Sequence, residues 1–177
     1  MEQQQQTVPF GSEVYFVMLA LVFFARGMDF LSTRVATPNL VLEGNPVAKF
    51  LGWKWGILLN VVVCVGVAHW PLPAIVISTT SVMVAARNFQ HAWLMRSLGE
   101  ERYRDWHVAR ILETPVSLYL CCLLGQTALP AAVGGALYYF TYPYLVPVAI
   151  GMGIMIYALA VAFYTLLSVW RMRRVMG

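Results

Sequence analysis

Arg26, Asp29 and Thr33 fall at i, i+3 and i+7 in the stretch ARGMDFLSTR, directly behind the apolar run VYFVMLALVFF. On a helix that spacing puts all three on one face. A carboxylate beside a guanidinium and a hydroxyl can bind an ion, accept a proton or hold a polar solute. A second polar face occurs in RNFQH, where Arg87, Asn88 and His91 lie together, with Ser81 and Thr80 two turns earlier. These residues gain their interest from where they sit, which depends on the elements that carry them.

The chain has 177 residues, of which 60% are hydrophobic and 11% charged, and its mean hydropathy is +0.68. A soluble domain has about 45–50% apolar and about 25% charged residues. An all-α, polytopic membrane bundle in one domain, residues 1–177, is therefore expected. A span needs about 20 mostly apolar residues. Five runs qualify: residues 14–36, 51–69, 72–94, 115–140 and 144–170. The N-terminal MEQQQQTVPFGSE has no Lys or Arg, so the first run reads as a retained span rather than a signal peptide.

Threading the five spans with the N-terminus outside places all 12 Lys and Arg on the inner side. The positive-inside rule then predicts an N-outside, C-inside protein of the cytoplasmic membrane. It also accounts for the pI of 9.1 without nucleic acid as a partner. The six tryptophans fall near predicted span ends, where an interfacial aromatic belt belongs.

Counting ~1.5 Å per residue from Val14 puts Asp29 ~22 Å into a ~30 Å hydrocarbon layer. The same count from Leu72 puts Arg87 at the same ~22 Å. Intramembrane charges are costly, and they usually face the bundle interior and pair. The expectation is one cluster, with Asp29 as charged ligand or proton acceptor and Arg87 as its counter-ion. Arg26 accompanies Asp29, and Asn88, His91, Thr33 and Glu43 shape the site. The bland alternative is helix-to-helix glue, for which one ion pair and a few hydrogen bonds suffice.

The first polar loop, TPNLVLEGNPVAKFLGWKW, carries Glu43, Asn45 and Pro46. Gly44 tolerates a turn, Asn45 suits a helix cap and Pro46 suits a first helical turn. VAKFLGWKW reads as a short amphipathic piece on the inner surface. Glu43 is either a loop carboxylate or a second carboxylate folded back towards Asp29.

The pattern Asp29-x-x-x-Thr33 followed by Glu43-Gly44-Asn45-Pro46 resembles a small bacterial integral-membrane family with no assigned activity. In that family an intramembrane D-x-x-x-T precedes an E-x-N-P loop. The resemblance covers about residues 23–67 and implies that Asp29, Thr33, Glu43, Asn45 and Pro46 form a unit. Members often carry a Lys in the second span, where this chain offers Asn60.

The second polar loop, MRSLGEERYRDWHVARILET, reads as an interfacial amphipathic helix, with His107 at headgroup level. Gly134-Gly135, Gly151 and Gly153 read as small-residue faces for helix approach. Cys64, Cys121 and Cys122 lie in apolar runs with neither metal nor disulfide spacing, and no motif names a cofactor.

Three functions follow. The leading one is binding or transport of a small ion or polar solute at the buried cluster. The second is a membrane-embedded enzyme acting on a lipid or prenyl substrate at the inner leaflet. The third is a non-catalytic accessory subunit. A five-helix unit has little interior of its own, which leaves room for a homo-oligomer or a partner subunit.

Overall fold

Ser12 starts the first helix, its hydroxyl accepting a hydrogen bond from the Tyr15 amide at 3.2 Å. In the computed structural model, which describes residues 7–43 and 46–176, this helix is α1, Glu13–Ala36. It is followed by α2 (Pro46–Val67), α3 (Pro71–Leu98), α4 (Glu100–Glu113), α5 (Val116–Phe140) and α6 (Leu145–Met176). No strand occurs among the described residues. Five of the six helices, all but α4, are long and apolar enough to cross a membrane, as a multi-pass membrane protein requires.

The breaks follow local chemistry. Gly52, at φ 63° and ψ −170°, kinks α2, so Pro46–Leu51 forms a short lead-in at an angle to the long apolar part. The kink falls inside the stretch VAKFLGWKW, expected to be one continuous short piece. Gly99, at φ 80°, separates α3 from α4. Both glycines use the left-handed region that side chains disfavour. Pro71 and Pro73 occupy the first turn of α3, where a missing amide proton costs little. The long helices lie within a few residues of the expected spans, and α3 and α6 run further at their C-terminal ends.

α1 packs along α3, α3 along α6, and α6 along α5; α2 leans on α1 and touches α3 lightly. Small residues allow the closest approaches. A Cβ added at Gly134 would come 2.7 Å from the Gly151 carbonyl oxygen, and one at Gly153 would come 2.7 Å from Thr79 Cβ. Thr80 Oγ1 donates to the Gly153 carbonyl at 3.0 Å, joining α3 to α6. The glycine faces expected for helix approach are thus used in packing.

Hydrogen bonds tie each end of the bundle. At one end the Val8 amide donates to the His69 carbonyl at 2.8 Å, which sets the N-terminal stretch beside the α2–α3 turn. At the other end α4 meets the α1–α2 loop through Glu100, and Arg173 of α6 donates to the carbonyls of Ile111 and Thr114 at 2.9 Å each. The 37–43 loop, α4 and the end of α6 therefore share one end of the molecule.

Candidate functional site

Arg26 is the hub of the polar interior. Its Nη1 donates to Asp29 Oδ2 at 2.8 Å and to Ser81 Oγ of α3 at 3.2 Å. Its Nε donates to Asn60 Oδ1 of α2 at 2.6 Å. One guanidinium thus joins three helices, which its planar fork of donors permits. Asn60 is held in turn by its own amide, which donates to the Gly56 carbonyl at 2.8 Å.

One turn further on, Asn88 of α3 meets α1. Its amide lies 3.2 Å from Ser32 Oγ and 3.3 Å from Thr33 Oγ1. Ser32 Oγ donates to the Asp29 carbonyl at 2.8 Å, so this serine is fixed from both sides. Arg26 and Thr33 of the i, i+3, i+7 face of α1 thus both bond α3.

A cavity of about 660 Å3 opens beside these contacts. Arg26, Asp29 and Thr33 of α1 line it, with Asn60 of α2 and Arg87 and Asn88 of α3. Glu43 and Thr37 line it from the loop, and His107 from α4. The remaining wall is mostly apolar or aromatic: Leu40, Leu42, Leu51, Trp53 and Leu59 on one side, Tyr157, Val161 and Tyr164 of α6 on another. Tyr119 of α5 completes it. A smaller hollow of about 240 Å3 lies between α1 and α2, around Phe23, Trp53, Ile57 and Cys64.

The pairing within the cluster differs from the expectation. Asp29 is bridged by Arg26, one turn back on its own helix, and not by Arg87. The i, i+3 geometry lets Arg26 reach Asp29 without crossing between helices. Arg87 lines the same cavity, and among the described residues no ion pair involves it. His91 is outside the lining residues, and its Nδ1 lies 3.1 Å from the carbonyl oxygen of Arg87 on its own helix. Glu43 does lie on the cavity wall with Asp29. Asn45 falls outside the described residues.

His107, on α4, also reaches the cavity. It is half-buried and stacks on Tyr103 with ring centroids 5.7 Å apart. Burial, and then the neighbouring His91, hold its pKa below the ordinary 6.5. Asp29, Glu43 and His91 do not form a metal site. Among the described residues, no three His, Cys, Asp or Glu side chains are grouped to hold an ion.

Sequence reasoning missed Glu100, which ties α4 to the 37–43 loop. Its carboxylate accepts from Thr37 Oγ1, from the Asn39 amide at 3.0 Å and side chain at 2.9 Å, and from the Val41 amide at 3.1 Å. Burial alone would raise its pKa, but the four hydrogen bonds together outweigh burial and hold the carboxyl below the ordinary 4.5. Trp53 adds a second tie, its indole donating to the Pro38 carbonyl at 2.9 Å. A charged residue at the start of a surface helix gives no sequence signal for such a role. Asn60, a lone amide in an apolar span, does give one.

Chemically, the arrangement offers a neutralised Arg–Asp pair, a further guanidinium, two amides and several hydroxyls at one end of a mainly apolar chamber. No protein-family model matches the chain, and it matches neither a curated protein nor a solved structure.

Proposed function

We propose that the cavity is a ligand-binding site, and that the protein captures a small solute with a polar or charged end for carriage at or across the membrane. The observation that supports this is the cavity of about 660 Å3 bordered by Asp29 and Arg87 together. Helix glue needs no cavity. The Arg26–Asn60–Ser81 contacts are glue in that sense, but Arg87 ties no helices through an ion pair. Small-molecule sites occupy about 300–1,000 Å3 and combine apolar walls with a few polar groups. The size favours an organic solute over a bare ion. The orientation that goes with this reading puts the α4 end, where Arg96, Arg102, Arg104, Arg110, Arg171, Arg173 and Arg174 gather, on the cytoplasmic side.

The test is thermal stabilisation of the purified protein by a panel of small carboxylates, phosphates, amines and alkali cations. At least one compound should raise the Tm of the wild type and fail to do so for Arg87→Ala. Equal shifts in wild type, Asp29→Asn and Arg87→Ala, or a protein that binds neither a panel compound nor an added lipid, would sink the reading.

A lipid-acting enzyme is the second reading. The apolar wall of Leu40, Leu42, Leu51 and Val161 favours it. Turnover of a lipid added to the purified protein, lost in Asp29→Asn, would move the reading there.

A further inference from the structure

The way the helices pack marks the side from which a ligand reaches the cavity. α2 leans on α1 while α6 packs on α3, both line the cavity, and among the described residues they make no substantial contact with one another. A gap between two membrane-spanning helices opens on hydrocarbon rather than on water. The flanks of this gap are Leu59 of α2 and Val161 and Tyr164 of α6. They are mainly apolar and suit a hydrocarbon chain, and the hydroxyls of Thr165 and Ser168 lie further along α6. At the other end, the 37–43 loop is pinned to α4 by Glu100.

The polar end of the cavity has a sign. Asp29 already holds Arg26 at 2.8 Å. Arg87 borders the cavity with no carboxylate within ion-pair distance among the described residues. An arginine among membrane helices calls for an anion, and its fork suits a phosphate or carboxylate in two-point contact.

We propose that the ligand is an anionic, lipid-like amphiphile, its acidic phosphate headgroup on Arg87 and its hydrocarbon chain lying out between α2 and α6. This rests on the ligand-binding reading above and names the ligand class and its route. The chain never leaves an apolar medium, and the headgroup exchanges the membrane surface for a charge-assisted contact. Arg87 lies 11 residues before the end of α3 at Leu98, so the headgroup enters ~16 Å below that end. The amides and hydroxyls of Asn88 and Thr33 offer it contacts at that depth.

The experiment is native mass spectrometry of the full chain released from detergent, with dioleoylphosphatidylglycerol or dioleoylphosphatidylcholine added in equal amounts. The phosphatidylglycerol complex should be favoured about ten-fold, the size expected of one charge-assisted contact. Arg87→Gln should bring it down to the phosphatidylcholine level, while Arg87→Lys keeps a preference. Leu59→Trp, which fills the gap, should weaken both lipids with Arg87 in place. Equal binding of the two lipids, or an unchanged preference in Arg87→Gln, would overturn the proposal. A separate arm adds glycerol 3-phosphate and inorganic phosphate. If these soluble anions stabilise the protein through Arg87 and the lipid does not, the lipid inference falls and the ligand-binding reading stands. If neither lipid nor soluble compound binds, both fall.

Discussion

Asn60 of α2 accepts a 2.6 Å hydrogen bond from Arg26 of α1, while the same guanidinium holds Asp29 at 2.8 Å. An interhelical tie and an intrahelical ion pair therefore share one side chain. This sharing explains why Arg87 is left facing the cavity: the arginine nearest in sequence has already neutralised the carboxylate.

Removing Arg26 should be the most damaging change in the cluster. Arg26→Met leaves the Asp29 carboxyl without its cation among apolar helices, at a cost of about 2–3 kcal/mol. Asp29→Asn should cost less than half of that, because the amide oxygen still accepts from Arg26. The double variant should recover part of the Arg26→Met loss. Denaturation of all four proteins in mixed micelles measures the coupling. Simple addition of the two single effects would show that the pair is not coupled.

Glu100 should govern the order of the 37–43 loop. Glu100→Gln keeps one acceptor oxygen and should cost about 1–2 kcal/mol. Amide exchange at Asn39 and Val41 should speed up, with little change in α5. The folded pKa of Glu100 is held below the ordinary 4.5. Its contribution is therefore fully present above pH 4.5 and is lost as the pH falls through the lower folded value. Exchange at those two amides in wild type should rise only in that acidic window. A rise already near neutral pH would contradict the assignment.

The α5–α6 contact should tolerate no added methyl. A Cβ at Gly151 would stand 2.5 Å from the Gly134 carbonyl oxygen and 2.9 Å from the Tyr138 nitrogen. Gly151→Ala should destabilise by about 1–3 kcal/mol. Gly27→Ala is the control, since nothing lies within 4 Å of its added Cβ. Thermal melts of the two variants should differ clearly, and equal melts would count against the close packing.

The orientation has its own test. With Cys64, Cys121 and Cys122 replaced by Ala, single cysteines go in at Tyr142 and at Arg102. In intact cells a membrane-impermeant maleimide should label position 142 and spare position 102. The reverse pattern would invert the topology.

Much of the architecture was legible in the residues alone. Apolar run length and polar punctuation located five long helices and the short α4, because each is a local consequence of hydrophobicity and of breakers such as Gly99 and Pro71. Helical spacing also announced the α1 face of Arg26, Asp29 and Thr33, since i, i+3 and i+7 neighbours need no tertiary information. Partner choice was not legible. Depth along a helix places Asp29 and Arg87 at one level, but rotation about each axis decides which side chains meet. Asp29 went to Arg26, Asn88 to Ser32 and Thr33, and His91 away from the cavity. Glu100 and His107 likewise acquired their roles only when α4 folded back over the 37–43 loop. The sequence by itself determined that charges are held among apolar helices. The tertiary structure decided that a cavity stands beside them, because cavities arise from how helices are spaced, and α2 and α6 stand apart.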